Sequence, residues 1–303
     1  MRTEMNKPAG GLGTKRLLAA IAVLAVALAV FAAVPAAEDS DAAGSTVYVD
    51  STIDADDASN STYKTLTAAL NAVAEKGTII LKSDLDASEA TTGLSYSPNT
   101  VISLSVSKAV AIDKSVTIKS ADGEKYTIPF ALGVKYTSGK GLDSVALENI
   151  IIKPAKGDNG FSAHTDSGLV TKVTITGCEF QITPCDAKDF KGGMSGQVAA
   201  VYGYQTANFE ITGTDFTIAD GPGNGYTTAV MSWNKDVTVT GCNVTGYSKF
   251  LNIDAATSLT VTGNHAYNML GPIKNASGQY KNGTFIQLAN TGGATQTGEI
   301  VVT

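Results

Sequence analysis

Val173-Thr-Ile-Thr-Gly-Cys-Glu-Phe180 decides the reading of this chain. Apolar and polar residues alternate from Val173 to Thr176, the pattern of a strand with one buried face. Gly177 follows, a residue that takes positive φ without steric penalty, so the strand ends in a sharp bend. Cys178 and Phe180 then resume the alternation. The phrase returns at Phe209-Glu-Ile-Thr-Gly213, Val237-Thr-Val-Thr-Gly241 and Leu259-Thr-Val-Thr-Gly263. A looser copy, Val145-Ala-Leu-Glu-Asn149, precedes them. Successive copies start 28, 36, 28 and 22 residues apart, a spacing within the range of solenoid repeats.

A second column of strands runs in phase with the first. Val201-Tyr-Gly-Tyr204, Val230-Met-Ser-Trp233 and Leu251-Asn-Ile253 begin 12, 11 and 12 residues before their respective bend glycines. Phe285-Ile-Gln-Leu288 and Ile300-Val-Val302 repeat the pair after a longer turn. A third column follows the bend: Ile150/Ile152, Cys178/Phe180, Thr214/Phe216, Cys242/Val244 and Asn264/Ala266. Columns in phase mean parallel coils that stack; hairpins would not hold the phase, and a βαβ sheet would need helical connectors that the sequence lacks. Stacking at ~4.8 Å puts Cys178 and Cys242 roughly 9.6 Å apart, beyond the ~7 Å that a disulfide tolerates. Both are expected as buried thiols, with Cys185 unpaired as well.

The first half is less regular. Thr78–Leu81, Val101–Leu104, Val110–Ile112, Val116–Ile118 and Tyr126–Ile128 are short β runs broken by Ser, Asp and Gly. Before them, Leu66, Ala69, Leu70, Val73 and Ala74 recur at helical spacing and stop before Gly77. A solenoid needs its open end covered, and this amphipathic helix, joined to strand Thr46–Val49, is placed to do it.

Lys7, Lys15 and Arg16 precede an uncharged run from Leu17 to Ala37, which Glu38, Asp39 and Asp41 close. A basic start, an apolar stretch and small residues at Val34-Pro35-Ala36 describe a secretory signal. The run also approaches the ~20 residues that span a bilayer, so a retained membrane anchor stands beside a cleaved signal. Basic flanks stay in the cytoplasm, and either reading sends residues 38–303 outside the cell. The expected division is signal or anchor 1–36, linker 37–45 and β domain 46–303, with 46–77 as its N-terminal cap.

Beyond residue 36 there are 18 Lys, 27 Asp plus Glu and no Arg, a net charge of −9. Nucleic acid is excluded as a partner because no basic face can form. Without arginine, bidentate capture of phosphates or carboxylates is also unavailable. Four sequons, at Asn60, Asn243, Asn275 and Asn282, suit surface glycosylation.

Tyr63-Lys-Thr-Leu-Thr-Ala-Ala-Leu70 with Gly77-Thr-Ile-Ile-Leu81, and the recurring Val-Thr-Ile-Thr-Gly-Cys-Glu-Phe coils, resemble the right-handed parallel β-helices of the pectin-lyase-like superfamily. The resemblance covers roughly residues 46–303 and implies an all-β, right-handed parallel β-helix with an N-terminal amphipathic capping helix. The superfamily includes polysaccharide lyases, glycoside hydrolases, tailspikes and noncatalytic surface proteins. Low charge, Thr-rich coils and sequons look most like adhesin-like surface proteins of archaea and some bacteria.

Catalytic signatures are sparse. The hydrolases need paired carboxylates, one as acid and one to activate water or attack; Asp56-Asp57 is the one adjacent Asp pair past the Glu38–Asp41 run and reads as a solvated loop. The lyases typically use calcium and an arginine base; here only Lys172 or Lys235 could substitute, without a carboxylate cluster beside them. His164 and His265 read as a turn residue and an outward strand residue. Asp220–Gly225 and Gly157–Gly160 carry oxygens of the kind calcium takes, but such Gly-Pro-Asn-Asp clusters are ordinary turns first. No cofactor is expected. Thr174/Thr176, Thr238/Thr240 and Thr260/Thr262 form a partial ladder, interrupted by Ala146, Glu148 and Glu210, which argues against an ice-binding face. The aromatics Tyr202, Tyr204, Tyr226, Trp233 and Tyr247 fall on or near the second strand column and are the candidate glycan-contact surface. The expected function is a noncatalytic extracellular, adhesin-like protein that contacts glycans or cell-envelope material; the alternative is a polysaccharide lyase or glycoside hydrolase.

Overall fold

Alternating strands that end in left-handed bends wind into coils. The computed structural model describes residues 46–90, 94–96, 104–134, 141–164, 170–186, 198–204, 206–219, 226–254, 256–270, 273–274, 278, 280–281, 285–289 and 300–303. Leu17–Ala37, Asp220–Gly225, Asn275 and Asn282 lie outside these residues. No helix among the described residues is long and apolar enough to cross a membrane.

Three all-parallel sheets form the walls of a right-handed parallel β-helix. Sheet 1 has ten strands, from the edge strand Thr62–Tyr63 and Thr46–Val49 through Gly77–Leu81, Val116–Ser120, Leu142–Glu148, Val170–Thr176, Asn208–Thr212, Asp236–Thr240 and Ser258–Thr262 to Ile300–Val302. Sheet 2 has six, Thr127–Ile128, Ile151–Ile152, Glu179–Ile182, Asp215–Ile218, Asn243–Thr245 and His265–Tyr267. Sheet 3 has seven, Ala109–Ile112, Ala131–Val134, Phe161–His164, Val198–Tyr204, Thr227–Trp233, Lys249–Asp254 and Ile286–Ala289. From Val116 onward each coil passes from sheet 1 to sheet 2 to sheet 3.

The register superposes like on like. Val145, Val173, Phe209, Val237 and Leu259 pair in one inward column of sheet 1, and Leu147, Ile175, Ile211, Val239 and Val261 in the next. Ile152, Phe180, Phe216, Val244 and Ala266 do the same in sheet 2. Phe180 stacks on Phe216 at 5.5 Å. Nearly all these side chains are fully buried, each contributing about 1.5–3 kcal/mol of transfer free energy. The outward positions of sheet 1 form the threonine rows: Thr176, Thr212, Thr240 and Thr262 are continuous, while Glu210 interrupts Thr174, Thr238 and Thr260.

The corner between sheets 1 and 2 is the same in five successive coils. Asn149, Gly177, Gly213, Gly241 and Gly263 have φ of 53, 62, 56, 64 and 62°. The N–H of each of the first four donates to a threonine carbonyl in the next coil at 2.9 to 3.0 Å, so the ladder continues around the corner. Just beyond it, the thiols of Cys178 and Cys242 and the hydroxyl of Thr214 each donate to the carbonyl two residues earlier, at 3.5, 3.5 and 3.2 Å. There is no disulfide. Burial pushes the Cys178 thiol up to about 12 and the Cys242 thiol to about 11.

The helix Leu66–Ala72 closes the N-terminal end with Leu66, Ala69 and Leu70 buried. The Thr65 hydroxyl caps it by accepting from Ala68 N at 3.1 Å, and Glu89 Oε1 accepts from Thr67 N at 2.6 Å. The helix ends two residues earlier than the spacing through Ala74 predicts. Val73 turns to extended geometry, its N–H still bonded to Ala69 O and its side chain still buried, so burial continued where the helix did not. The run Val101–Leu104 is not part of a coil as far as it is described. Leu104–Val106 pairs antiparallel with Leu94–Tyr96 in a separate two-stranded sheet.

Gly213→Asn is expected to keep the corner, since Asn149 already holds it, and space at the Gly213 Cβ is open. Gly213→Val should lower stability in denaturant unfolding by about 1–2 kcal/mol through the left-handed strain alone. The buried thiols set an alkaline limit. Unfolded Cys ionises near 9.0 while native Cys178 holds its proton to about 12, so stability falls as pH rises across that interval. Cys178→Ala should flatten that fall in unfolding midpoints measured from pH 8 to 11.

Candidate functional site

Sheet 3 carries the one aromatic-rich outer wall among the described strands. Its period-two pattern breaks at apolar doublets, Ala200-Val201, Ala229-Val230 and Phe250-Leu251, whose members are all fully buried in the main core. Val201, Val230 and Leu251 pair in register, so the kink repeats from coil to coil. Beyond it alternation resumes and throws Tyr202, Met231 and Asn252 outward in one column, with Tyr204 and Trp233 in the next. Ala199, Tyr202 and Met231 make an apolar cluster separate from the interior, and Tyr204 and Trp233 pack against it.

The five aromatics fall into three environments. Tyr247 lies in the interior, edge-on to Phe216 at 6.4 Å with its hydroxyl 3.4 Å from Thr217 O; Gly246, at φ 78°, turns the chain so that this ring points inward. Tyr202 and Tyr226 sit outside the main core but are buried. Tyr204 and Trp233 are half-buried and present ring surface. Trp233 lies 6.0 Å from Tyr202 and 6.5 Å from Tyr204, tilted to both. Of the five residues, Tyr204 and Trp233 alone are therefore partly exposed, and they pack against Tyr202 and Met231 in the neighbouring column. Burial raises the hydroxyl pKa of Tyr202 and Tyr247 above the ordinary range and that of Tyr226 to about 12, so all three remain neutral phenols.

Polar groups flank the rings. Lys249 is buried, its ammonium bonded to Gln287 Oε1 and 5.3 Å from the Tyr226 ring centre. Asp254, also buried, is the only carboxylate within the sheet 3 strands. Sequence reasoning passed over Lys249 and Asp254; their signal was a strand, Lys249–Asp254, charged at both ends around Phe-Leu-Asn-Ile. His164 pairs in register with Tyr204.

Asn234 anchors the turn behind the rings. Its Oδ1 accepts from Thr206 N at 2.8 Å and its Nδ2 donates to Ser232 Oγ at 2.7 Å, all within the interior. Gly203 makes room for it: a Cβ there would stand 2.4 Å from Asn234 Nδ2 and 2.8 Å from the Phe209 ring. Asn159 does a similar job two coils earlier, accepting from Ala199 N at 2.8 Å.

The remaining candidates lie elsewhere. Asp57 caps the turn Ala58–Asn60, and Asp56 accepts from Lys64 N at 2.7 Å. Lys172 pairs with Glu210 at 2.8 Å on sheet 1, and Lys235 is exposed in the turn into Asp236–Thr240. In Gly157–Gly160, Asp158 accepts from Ser107 N, Ser107 Oγ and Lys108 N at 2.8, 2.6 and 3.1 Å, which spends its oxygens on the chain. His265 is exposed and stacks on Tyr267 at 6.4 Å. Asn60 and Asn243 are exposed.

Gly203→Ala should cost about 1–3 kcal/mol by overpacking and shift the emission of Trp233, the chain's only tryptophan; equal melting temperatures and spectra would show that Asn234 and Phe209 yield freely. Against family models, curated proteins and solved structures, the chain finds no match.

Proposed function

We propose that this β-helix is a noncatalytic, adhesin-like surface protein of the pectin-lyase-like kind, which holds neutral glycans or cell-envelope polysaccharide against sheet 3. One observation carries the reading: Tyr204 and Trp233, 6.5 Å apart on adjacent coils, both keep ring surface open on an otherwise filled wall. Aromatic faces suit the apolar faces of sugars, and Asn252 and Gln287, one and two coils on, supply amide partners for hydroxyls. An acidic glycan fits less well, since no arginine follows Arg16 and Lys249 is buried. Export through the N-terminal segment and glycosylation at Asn60 and Asn243 belong to the same reading, because both asparagines are exposed.

Titration of Trp233 fluorescence with neutral and with uronic-acid oligosaccharides tests it. Neutral sugars should shift the emission saturably, and in isothermal titration calorimetry, which needs no tryptophan signal, Trp233→Ala should weaken binding about tenfold, the weight of one good stacking contact, without altering the far-UV spectrum. Reducing ends and unsaturated products should stay at background in the same samples. Turnover of any polymer would replace this reading with a lyase or hydrolase, and no response to any sugar would remove both.

A further inference from the structure

Lys249 is the only lysine buried among the described residues. Lysine ordinarily keeps its ammonium in water, but this side chain lies on the outer wall of sheet 3, in register with Thr228. Its ammonium bonds to Oε1 of Gln287 and sits 5.3 Å from the Tyr226 ring centre. Gln287 is 38 positions further along the chain, on the next coil.

Both strands hold this pair in place. Leu251, Asn252, Ile253 and Asp254 are in register with Ile286, Gln287, Leu288 and Ala289. The N–H groups of Phe250 and Leu251 both donate to Phe285 O, at 3.1 and 3.0 Å, and the two side chains anchor the strand in the core directly after Lys249. A primary amine and a carboxamide are thereby kept in contact without an encounter step, the condition under which slow reactions between neighbours become fast. Asp254 is buried on the outward side of the same strand, diagonal to Gln287 across the Asn252–Gln287 pair and within reach of a long side chain.

We propose that Lys249 and Gln287 join in an intramolecular isopeptide bond. Asp254 takes one proton from the Lys249 ammonium, which gives Nζ a lone pair. Nζ attacks Cδ of Gln287, and collapse of the tetrahedral centre breaks the Cδ–Nε2 bond. Nε2 leaves as ammonia, with its own two hydrogens and one from Nζ, and carries off the Asp254 proton as ammonium. Atoms and charge balance without an oxidant or cofactor. The product is neutral, so a buried position no longer holds an ion, which costs far more there than a neutral group. Its carbonyl stays on the wall beside Asn252, and the link ties the strand Ile286–Ala289 to the coil before it.

Tryptic mapping of the denatured full-length chain by mass spectrometry tests this. Trypsin does not cut after an acylated lysine, so residues 236–274 should appear joined to residues 282–303, lighter than the two together by one ammonia. Lys249→Arg and Gln287→Ser should each yield separate linear peptides, the second with an unchanged far-UV spectrum because Gln287 is exposed. Asp254→Asn should slow linkage about a hundredfold, the weight of one positioned proton carrier, in samples taken over time after synthesis. Cleavage after Lys249 in the unaltered chain would overturn the proposal, as would a branch from Lys249 to any residue other than Gln287. Linkage of Asp254→Asn at the unaltered rate would overturn the proton route.

Discussion

The corner after sheet 1 is the constraint on which the rest depends. Parallel strands stack in phase only if each coil turns through the same angle and leaves no backbone group stranded. A single residue at φ of 53 to 64° achieves both in five coils, since its N–H reaches the next coil's carbonyl instead of pointing at solvent or core. With the corner fixed, what lies between sheets 2 and 3 can vary. Copies of the strand phrase start 28, 36, 28 and 22 residues apart, yet the register of sheet 1 is held pair for pair. Length variation falls on the connections at either side of sheet 3, the wall that bears the rings.

Asparagine and small polar residues pair backbone groups that the corners of this interior would otherwise strand. Parallel strands have no hairpins to absorb their end groups, so each corner must satisfy its own carbonyls and amides. Cys178, Thr214 and Cys242 are interchangeable in that role because thiol and hydroxyl are both small donors. Asn264, at the same place one coil later, uses both ends of its amide, accepting from Cys242 N at 2.8 Å and donating to Val239 O at 2.9 Å. Asn234 and Asn159 act at the sheet 3 side, and through Ser232 and Ala199 they fix the strands from which Trp233 and Tyr202 project.

Most of the scaffold was legible because two local signals coincide, period-two alternation and a residue suited to positive φ. Where either fails, sequence reading loses hold. Val73 looks like a continued helix because helical spacing and burial agree there, but burial is also met by an extended residue. Leu104 reads as a coil strand, yet alternation cannot distinguish a parallel partner from an antiparallel one. The site was legible as a set of aromatics near one column. Which of them present surface depends on the doublets that kink sheet 3 and on Gly246, and side-chain type alone gives neither. Tyr202 and Tyr204, two residues apart on one strand, share the outward side.

Two outer walls compete as contact surfaces, and their chemistry separates them. Sheet 1 offers a row of four threonines, but the neighbouring row is broken by Glu210, which Lys172 holds in a half-exposed ion pair. Such pairs contribute roughly 0–1 kcal/mol and keep their charges hydrated, so a ligand lying along that wall would have to strip water from both. Threonine on an outward strand position needs no ligand to explain it, since β-branched side chains favour strands. Sheet 3 presents the opposite case. Tyrosine and tryptophan left partly open on a strand wall lose transfer free energy that burial would recover, and the fold demonstrates the alternative a few residues away by burying Tyr202 and Met231 beneath them. Retaining partly open rings on that wall is therefore the costlier arrangement, and a ligand with its own apolar faces, as proposed for this wall, would offset the cost.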